Sequence, residues 1–236
     1  MPLKVITNIF AAFTQSSHIM KSLIVLISTF FIATISFCQQ SDAAAKKTLD
    51  AVSAKFKTFK SVQAAFTLRN EDSKGTLLGT KKGTASLKGS RYRVSVAGTG
   101  QEIFCDGANI WTYDKSANEV TITKPDPSTN TLTMQKLFSN FYDKDFLYKL
   151  NGDKIVNKKS VQEIEMTPID KTRPFHKVYL LVDKQSKTIY STRILDKSGN
   201  VMVYTVNTMN GTVNLPDNLF VFDKNKYPGV EVIDLR

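Results

Sequence analysis

Few side chains in this sequence are of the types that perform acid–base or nucleophilic chemistry. After residue 38 the only histidine is His176, so a two-histidine metal site is excluded there, and a Ser-His-Asp triad would need that residue. Glu163 and Glu165 could act as paired carboxylates, but they alternate with Ile164 and Met166, which is typical of the outward face of a strand. We expect His176 itself at the surface or at a strand edge.

The remaining chemical candidates are a thiol and a glycine pair. Cys105 precedes Asp106 and has no neighbouring cation to stabilise a thiolate, so it is predicted to be a buried structural thiol. Gly98 and Gly100 are not followed by the further glycine of a dinucleotide-binding loop, and the motifs G-x-S-x-G, H-E-x-x-H and the P-loop are absent. The sequence therefore predicts neither an enzyme nor a cofactor.

Composition places the chain among globular proteins. It has 236 residues, of which 42% are apolar and 22% charged, which excludes collagen-like, disordered and disulfide-scaffold classes. The net charge of +11 favours anionic partners, such as an anionic membrane or nucleic acid. Which of these partners applies depends on where in the cell the protein is located.

An apolar segment near the start of the chain predicts export. Residues 23–37 are uncharged, follow Met20-Lys21, and are fewer than the roughly 20 residues that a membrane span needs. We expect residues 20–38 to be a signal peptide, residues 1–19 to be an extension upstream of the true start, and residues 39–236 to form a single domain. Residues 35–38 also resemble a lipobox, although the bulky Phe37 departs from it. Export argues against a nucleic-acid partner.

The exported part should begin with one amphipathic helix. Apolar residues recur at spacings of three and four, with Ser41 or Asp42 as the N-cap, at Ala45, Leu49, Val52, Phe56 and Phe59. The opposite face carries several lysines, which form either a solvated face or a patch that binds a partner.

Most of the remaining chain alternates with the period of β-strands. Tyr92, Val94 and Val96 alternate with polar residues, and Asp106-Gly107 has the chemistry of a hairpin turn. Similar turns recur along the chain, which predicts an antiparallel meander of about ten strands. One break follows residues 124–128, after which a second helix is predicted from Met134, Leu137, Phe138, Phe141 and Tyr142.

Three sequence blocks resemble the LolA family, the periplasmic carriers of outer-membrane lipoproteins. The blocks are residues 59–67 (FKSVQAAFT), residues 103–114 (IFCDGANIWTYD) with 118–122 (NEVTI), and residues 220–222 (FVF) with 227–234 (YPGVEVID). The resemblance implies an α+β, mainly β fold: an unclosed antiparallel β-barrel of about ten or eleven strands, with a helical lid over a hydrophobic cavity for acyl chains.

The resemblance also suggests which side chains form this cavity. Adaptable aromatic and thioether groups suit a ligand without fixed shape, although each is equally compatible with an ordinary core position. The strand residues predicted to line the cavity are Leu68, Leu87, Tyr92, Val94, Trp111 and Tyr113, and the predicted lid residues are Met134, Leu137, Phe138 and Phe141.

One departure from the family affects the lid. Many members have Lys-Arg-Pro after the strand that here ends at Lys88, and their arginine helps to fasten the lid. This chain has Gly89-Ser90 before Arg91. Whether Arg91 acts as the lid latch therefore stays open.

The resemblance implies a periplasmic, monomeric carrier of acylated lipoproteins from the inner to the outer membrane. Its partners would include an inner-membrane lipoprotein-releasing transporter, and it leaves open an outer-membrane receptor. A second hypothesis is a LolA-like module that binds free lipid or senses envelope stress. A third is a hydrolase that uses His176.

Overall fold

The computed structural model describes residues 42–125 and 142–236. Helix α1 (Ala43–Lys57) precedes the strands, and a short helix α2 (Tyr142–Asp145) precedes β7. The strands are β1 (Val62–Glu71), β2 (Leu77–Lys88), β3 (Arg91–Val96), β4 (Gln101–Cys105), β5 (Ile110–Asp114), β6 (Glu119–Thr123), β7 (Phe146–Val156), β8 (Lys159–Pro168), β9 (Phe175–Asp183), β10 (Ile189–Asp196), β11 (Val201–Asn210) and β12 (Glu231–Asp234).

All twelve strands form one sheet in the order β12-β6-β5-β4-β3-β2-β1-β11-β10-β9-β8-β7. The sheet is unclosed, because β12 and β7 are its two edges. The prediction of a mainly β, unclosed sheet is confirmed, but the strand count of ten or eleven is wrong. The prediction of a purely antiparallel sheet is also wrong, since β12 pairs parallel with β6. Side-chain alternation shows which residues share a face but not the direction of pairing, so it gave no signal for this parallel strand.

Helix α1 confirms the predicted pattern from Ala45 to Phe56, but Phe59 lies beyond its end at Lys57, which corrects the prediction there. The Asp42 carboxylate caps the helix by accepting the backbone N–H groups of Ala44 and Ala45. The same carboxylate accepts the N–H of Leu150 at 3.0 Å, and the Asp42 N–H donates to the carbonyl of Tyr148 at 3.0 Å. The hydrogen bonds that the carboxylate accepts, above all the one from Leu150, lower the pKa of Asp42. The helix start is therefore fastened to the edge strand β7.

One face of the sheet, here called the cavity face, carries the side chains that meet α1. The buried helix residues Ala45, Leu49, Val52 and Phe56 pack with apolar residues of β7–β10 into the largest core cluster. A second cluster on the cavity face joins β1, β2 and β3. A third cluster forms between β4, β5, β6 and residues 211–230, here called the C-terminal stretch.

Several predicted features lie outside the described residues. They are the signal peptide at 20–38, the extension at 1–19, and the lid residues Met134, Leu137, Phe138 and Phe141. Within the described ranges, no helix has the length and apolar character to cross a membrane.

Candidate functional site

An apolar cavity of about 300 Å³ lies on the cavity face, beside the end of α1. Strand β1 supplies Val62, Ala64, Phe66 and Leu68, because alternate residues of a strand share one face. The other lining residues come from α1, β2, β3, β4, β10 and β11: Phe56, Leu87, Val94, Val96, Ile103, Ile189, Thr192, Ile194, Tyr204, Val206 and Met209. None of these side chains is charged.

A close contact between two strands shapes the cavity wall. Gly83 of β2 lies opposite Phe66 of β1, and the Phe66 ring occupies the space that a Cβ atom at Gly83 would need. Phe66 also packs near Tyr204, with ring centroids 6.2 Å apart. Glycine at position 83 therefore lets the Phe66 ring lie flat against the sheet.

The six predicted strand residues divide into three groups: three that line the cavity, one that shares its face without lining it, and two on the other face of the sheet. Leu68, Leu87 and Val94 line the cavity. Tyr92 shares their face and packs against the cluster of β1 and β2, but it is not among the lining residues. Burial raises the pKa of Tyr92 to about 12, and its neighbour across the strands is Cys105.

Cys105 confirms the prediction of a buried structural thiol. Its side chain is only 1% exposed. Burial, as the largest effect, raises the pKa of the Cys105 thiol. The sulfur is therefore protonated at neutral pH and unsuited to nucleophilic attack.

The structure places Trp111 and Tyr113 on the opposite face from the cavity, which corrects the sequence prediction. The pairing register of β3, β4 and β5 determines the face of these side chains. Phe104 of β4 lies opposite Trp111 on β5 and opposite Arg93 on β3. Because neighbouring residues of a strand alternate, Arg93 faces away from Val94 and the cavity. The four-residue turn between β4 and β5 thus turns both aromatic side chains outward.

On this outer face the two aromatic residues help to hold the C-terminal stretch. Tyr113 packs against Phe222 and Tyr227, with ring centroids 5.6 and 4.4 Å apart, and Trp111 packs against the same cluster. Phe222 and Tyr227 stack at 4.5 Å. The third core cluster is therefore structural and separate from the cavity.

Arg91 pairs with a carboxylate of the C-terminal stretch. Its guanidinium lies 2.6 Å from the Asp217 carboxylate, and Lys88 donates to the same group at 2.8 Å. Hydrogen bonds from Lys88 and then Arg91 lower the pKa of Asp217. The predicted lid residues lie outside the described residues, so the role of Arg91 as a latch stays a prediction.

The catalytic candidates do not meet in this cavity. His176 is exposed, and its Nδ1 lies 3.0 Å from the carbonyl oxygen of Asp196. Glu163 and Glu165 pair with Lys154 and Lys177. Over the described ranges, no group of three His, Cys, Asp or Glu residues could hold a metal ion.

The sequence profile described as "Outer membrane lipoprotein carrier protein LolA" matches residues 57–223. The chain belongs to the LolA family. An outer-membrane lipoprotein carrier protein of Cupriavidus pinatubonensis (strain JMP 134 / LMG 1197) is 29% identical over 123 residues, which is 52% of this chain. The match spans 55% of that relative's length.

The fold of this LolA family member is shared by a solved structure with a TM-score above 0.5, and a second structure is similar at a lower score. An uncharacterized conserved protein from Thermus thermophilus matches 81% of this chain and 99% of its own, with a TM-score of 0.56 and 14% identity. A LolA superfamily protein from Nitrosomonas europaea covers 76% of this chain and 98% of its own, with a TM-score of 0.42 and 18% identity.

Sequence reasoning missed the part of this LolA cavity that β10 and β11 form. Thr192, Ile194, Tyr204 and Val206 line it because β11 pairs with β1. Alternation along β10 and β11 was a usable signal for which residues share a face. The pairing of β11 with β1, which are far apart in the chain, had no local signal.

Proposed function

We propose that the protein carries lipoproteins through the periplasm, from the inner to the outer membrane, by holding their acyl chains in the apolar cavity. The observation that carries this proposal is an uncharged cavity of about 300 Å³ in a member of the LolA family. That volume is at the small end of ligand pockets, which suits a narrow acyl chain.

Such a carrier works by passing its acylated cargo from one binding site to another. Each buried CH₂ group contributes about 0.8 kcal/mol, so a short stretch of acyl chain already binds well. Release then needs a receptor with a better site, and loading needs a transporter that lifts the lipoprotein from the inner membrane. We propose these two partners, export by residues 20–38, and a lid formed by the second predicted helix as parts of the same function.

Mass spectrometry of the protein isolated from its own cells would test this proposal. We expect acylated proteins to be bound, and Val94→Glu to reduce their amount relative to the outer-face variant Thr84→Glu. Depletion should leave lipoproteins in the inner membrane. Free lipid as the only cargo, or altered transcription with normal lipoprotein sorting, would instead support a lipid-binding or sensing module.

A further inference from the structure

The hairpin of β1 and β2 projects beyond the neighbouring strand β3. Strand β2 pairs with β3 only from Gly83 to Lys88, and Ala97, just after β3, donates its N–H to the carbonyl of Lys82. Residues 77–81 of β2 continue past that point, which at about 3.3 Å per residue is about 17 Å. On its other side β1 pairs with β11 as far as Glu71, so the hairpin tip is free along its β2 edge only.

The hairpin tip exposes two adjacent leucines. Leu77 is 52% exposed and Leu78 is 65% exposed. The turn before them is well defined, since the Asp72 carboxylate accepts the N–H groups of Lys74 and Thr76 at 2.9 and 2.8 Å. A hydrogen-bonded turn thus holds apolar side chains in solvent, where they contribute little to the core.

Lysines surround these leucines. Lys74, Lys81 and Lys82 are exposed, and no ion pair to any of them occurs within residues 42–125 and 142–236. Of the acids on the hairpin, Glu71 pairs with Arg69 at 2.8 Å, and Asp72 is bonded into the turn. Besides the hydroxyl residues Ser73, Thr76 and Thr80, the tip therefore offers apolar side chains and unpaired cations, with the Asp72 carboxylate turned to the backbone of the turn.

An apolar tip with flanking cations matches an anionic phospholipid surface. Apolar side chains enter the boundary between headgroups and acyl chains, while lysines attract the anionic headgroups. A stable protein partner would instead need roughly 800 Å² on each side, far more than two leucines offer. The shape and charge of the tip together favour a membrane.

We propose that the β1–β2 hairpin docks the protein on anionic phospholipid membranes through Leu77, Leu78, Lys81 and Lys82. Lys81 lies directly opposite Leu68, which lines the cavity. Docking therefore brings one end of the cavity to the membrane surface. The contact is separate from the cavity and does not depend on which cargo the cavity holds.

Sedimentation of the purified protein with vesicles tests this proposal. Vesicles of phosphatidylglycerol and phosphatidylcholine in equal parts should bind it, and vesicles of phosphatidylcholine alone should bind it less. Leu77→Ser with Leu78→Ser should lower partitioning about tenfold. Lys81→Gln with Lys82→Gln should lower it roughly fivefold for each lysine at low salt, with a smaller effect at high salt.

Matched controls come from the opposite end of the sheet. Ile155, which is 80% exposed, and the exposed Lys158 lie at the β7–β8 hairpin. Ile155→Ser and Lys158→Gln should leave partitioning unchanged.

Hydrogen exchange should slow at residues 76–80 when vesicles are added. Tip variants should bind an acyl probe normally, whereas the cavity variant Val94→Glu should lose probe binding and keep vesicle binding. The docking proposal and the carrier proposal can therefore fail independently of each other.

Three results would overturn the docking proposal. The first is no binding of the unaltered protein to anionic vesicles, and the second is an equal loss in the control variants. The third is a change in self-association by the tip variants without a change in vesicle binding, which would make the tip a contact between copies of the chain.

Discussion

A carboxylate at position 94 should weaken acyl binding in a way that depends on pH. Val94 lines the cavity, and its cross-strand neighbours Ala85 and Ile103 are apolar. In the empty cavity the carboxylate of Val94→Glu can be hydrated. Once an acyl chain fills the cavity, that carboxylate must lose its water or take up a proton.

The cost of protonation limits the size of this effect. A glutamate with an ordinary pKa of about 4.3 needs about 3.7 kcal/mol to be protonated at pH 7. The dissociation constant should therefore rise by up to ~500-fold at pH 7. Because the bound state prefers the protonated side chain, affinity should recover about tenfold for each pH unit below 7, until the pH approaches the ordinary pKa of the free side chain.

Fluorescence titration with an uncharged acyl probe, such as a labelled monoacylglycerol, would measure this effect. Thr84→Glu is the matched control, because residue 84 is exposed and lies on the outer face of the neighbouring strand. Val94→Gln separates charge from size, and its loss of affinity should not vary with pH. Denaturant unfolding should show that all three variants are folded.

Two outcomes would refute the reasoning. If folded Val94→Glu bound the probe as the unaltered protein does, residue 94 would not face the acyl chain. If its affinity were low but independent of pH, the loss would come from altered packing and not from the buried charge.

Other predictions concern the cavity wall and the C-terminal stretch. Gly83→Ala should push the Phe66 ring into the cavity and weaken acyl-probe binding several-fold in a folded protein, and unchanged affinity would contradict this arrangement. Phe222→Ala should lower the free energy of unfolding, followed by Trp111 fluorescence, by about 3–5 kcal/mol while preserving probe affinity; a selective loss of probe affinity would link the two faces. Asp217→Asn should lower stability at neutral pH. In acid unfolding curves, the difference in stability between the two proteins should disappear as the pH falls below 3.8 and through the lowered pKa of Asp217. A difference in stability that persists at that pH would exclude the ion pair as its cause.

Local patterns in the sequence were sufficient for the first helix, for the mainly β character of the chain and for the buried thiol. The spacing of Ala45, Leu49, Val52 and Phe56 required a helix with one apolar face, and the structure buries that face. The turn at Asp106-Gly107 correctly predicted antiparallel pairing of β4 and β5. These features depend on residues a few positions apart, where backbone geometry directly links spacing to structure.

Family motifs gave less information about which face of the sheet each side chain occupies. The block that contains Trp111 and Tyr113 supported the family, but it did not show that these side chains cover the outer face. That outcome depends on the register of β3, β4 and β5 taken together. An error of one residue in any register reverses the face, so a motif alone cannot decide it.

The sequence by itself determined the periodicities, narrowed the helix cap to Ser41 or Asp42, and indicated the family. The tertiary structure decided which strands meet: β11 beside β1, which completes the cavity, and β12 parallel to β6 at one edge. It also brought Asp217 to Arg91. The physical reason is that these contacts join residues far apart in the chain, so they follow from burying the whole sheet face at once and leave no local trace in the spacing of residues.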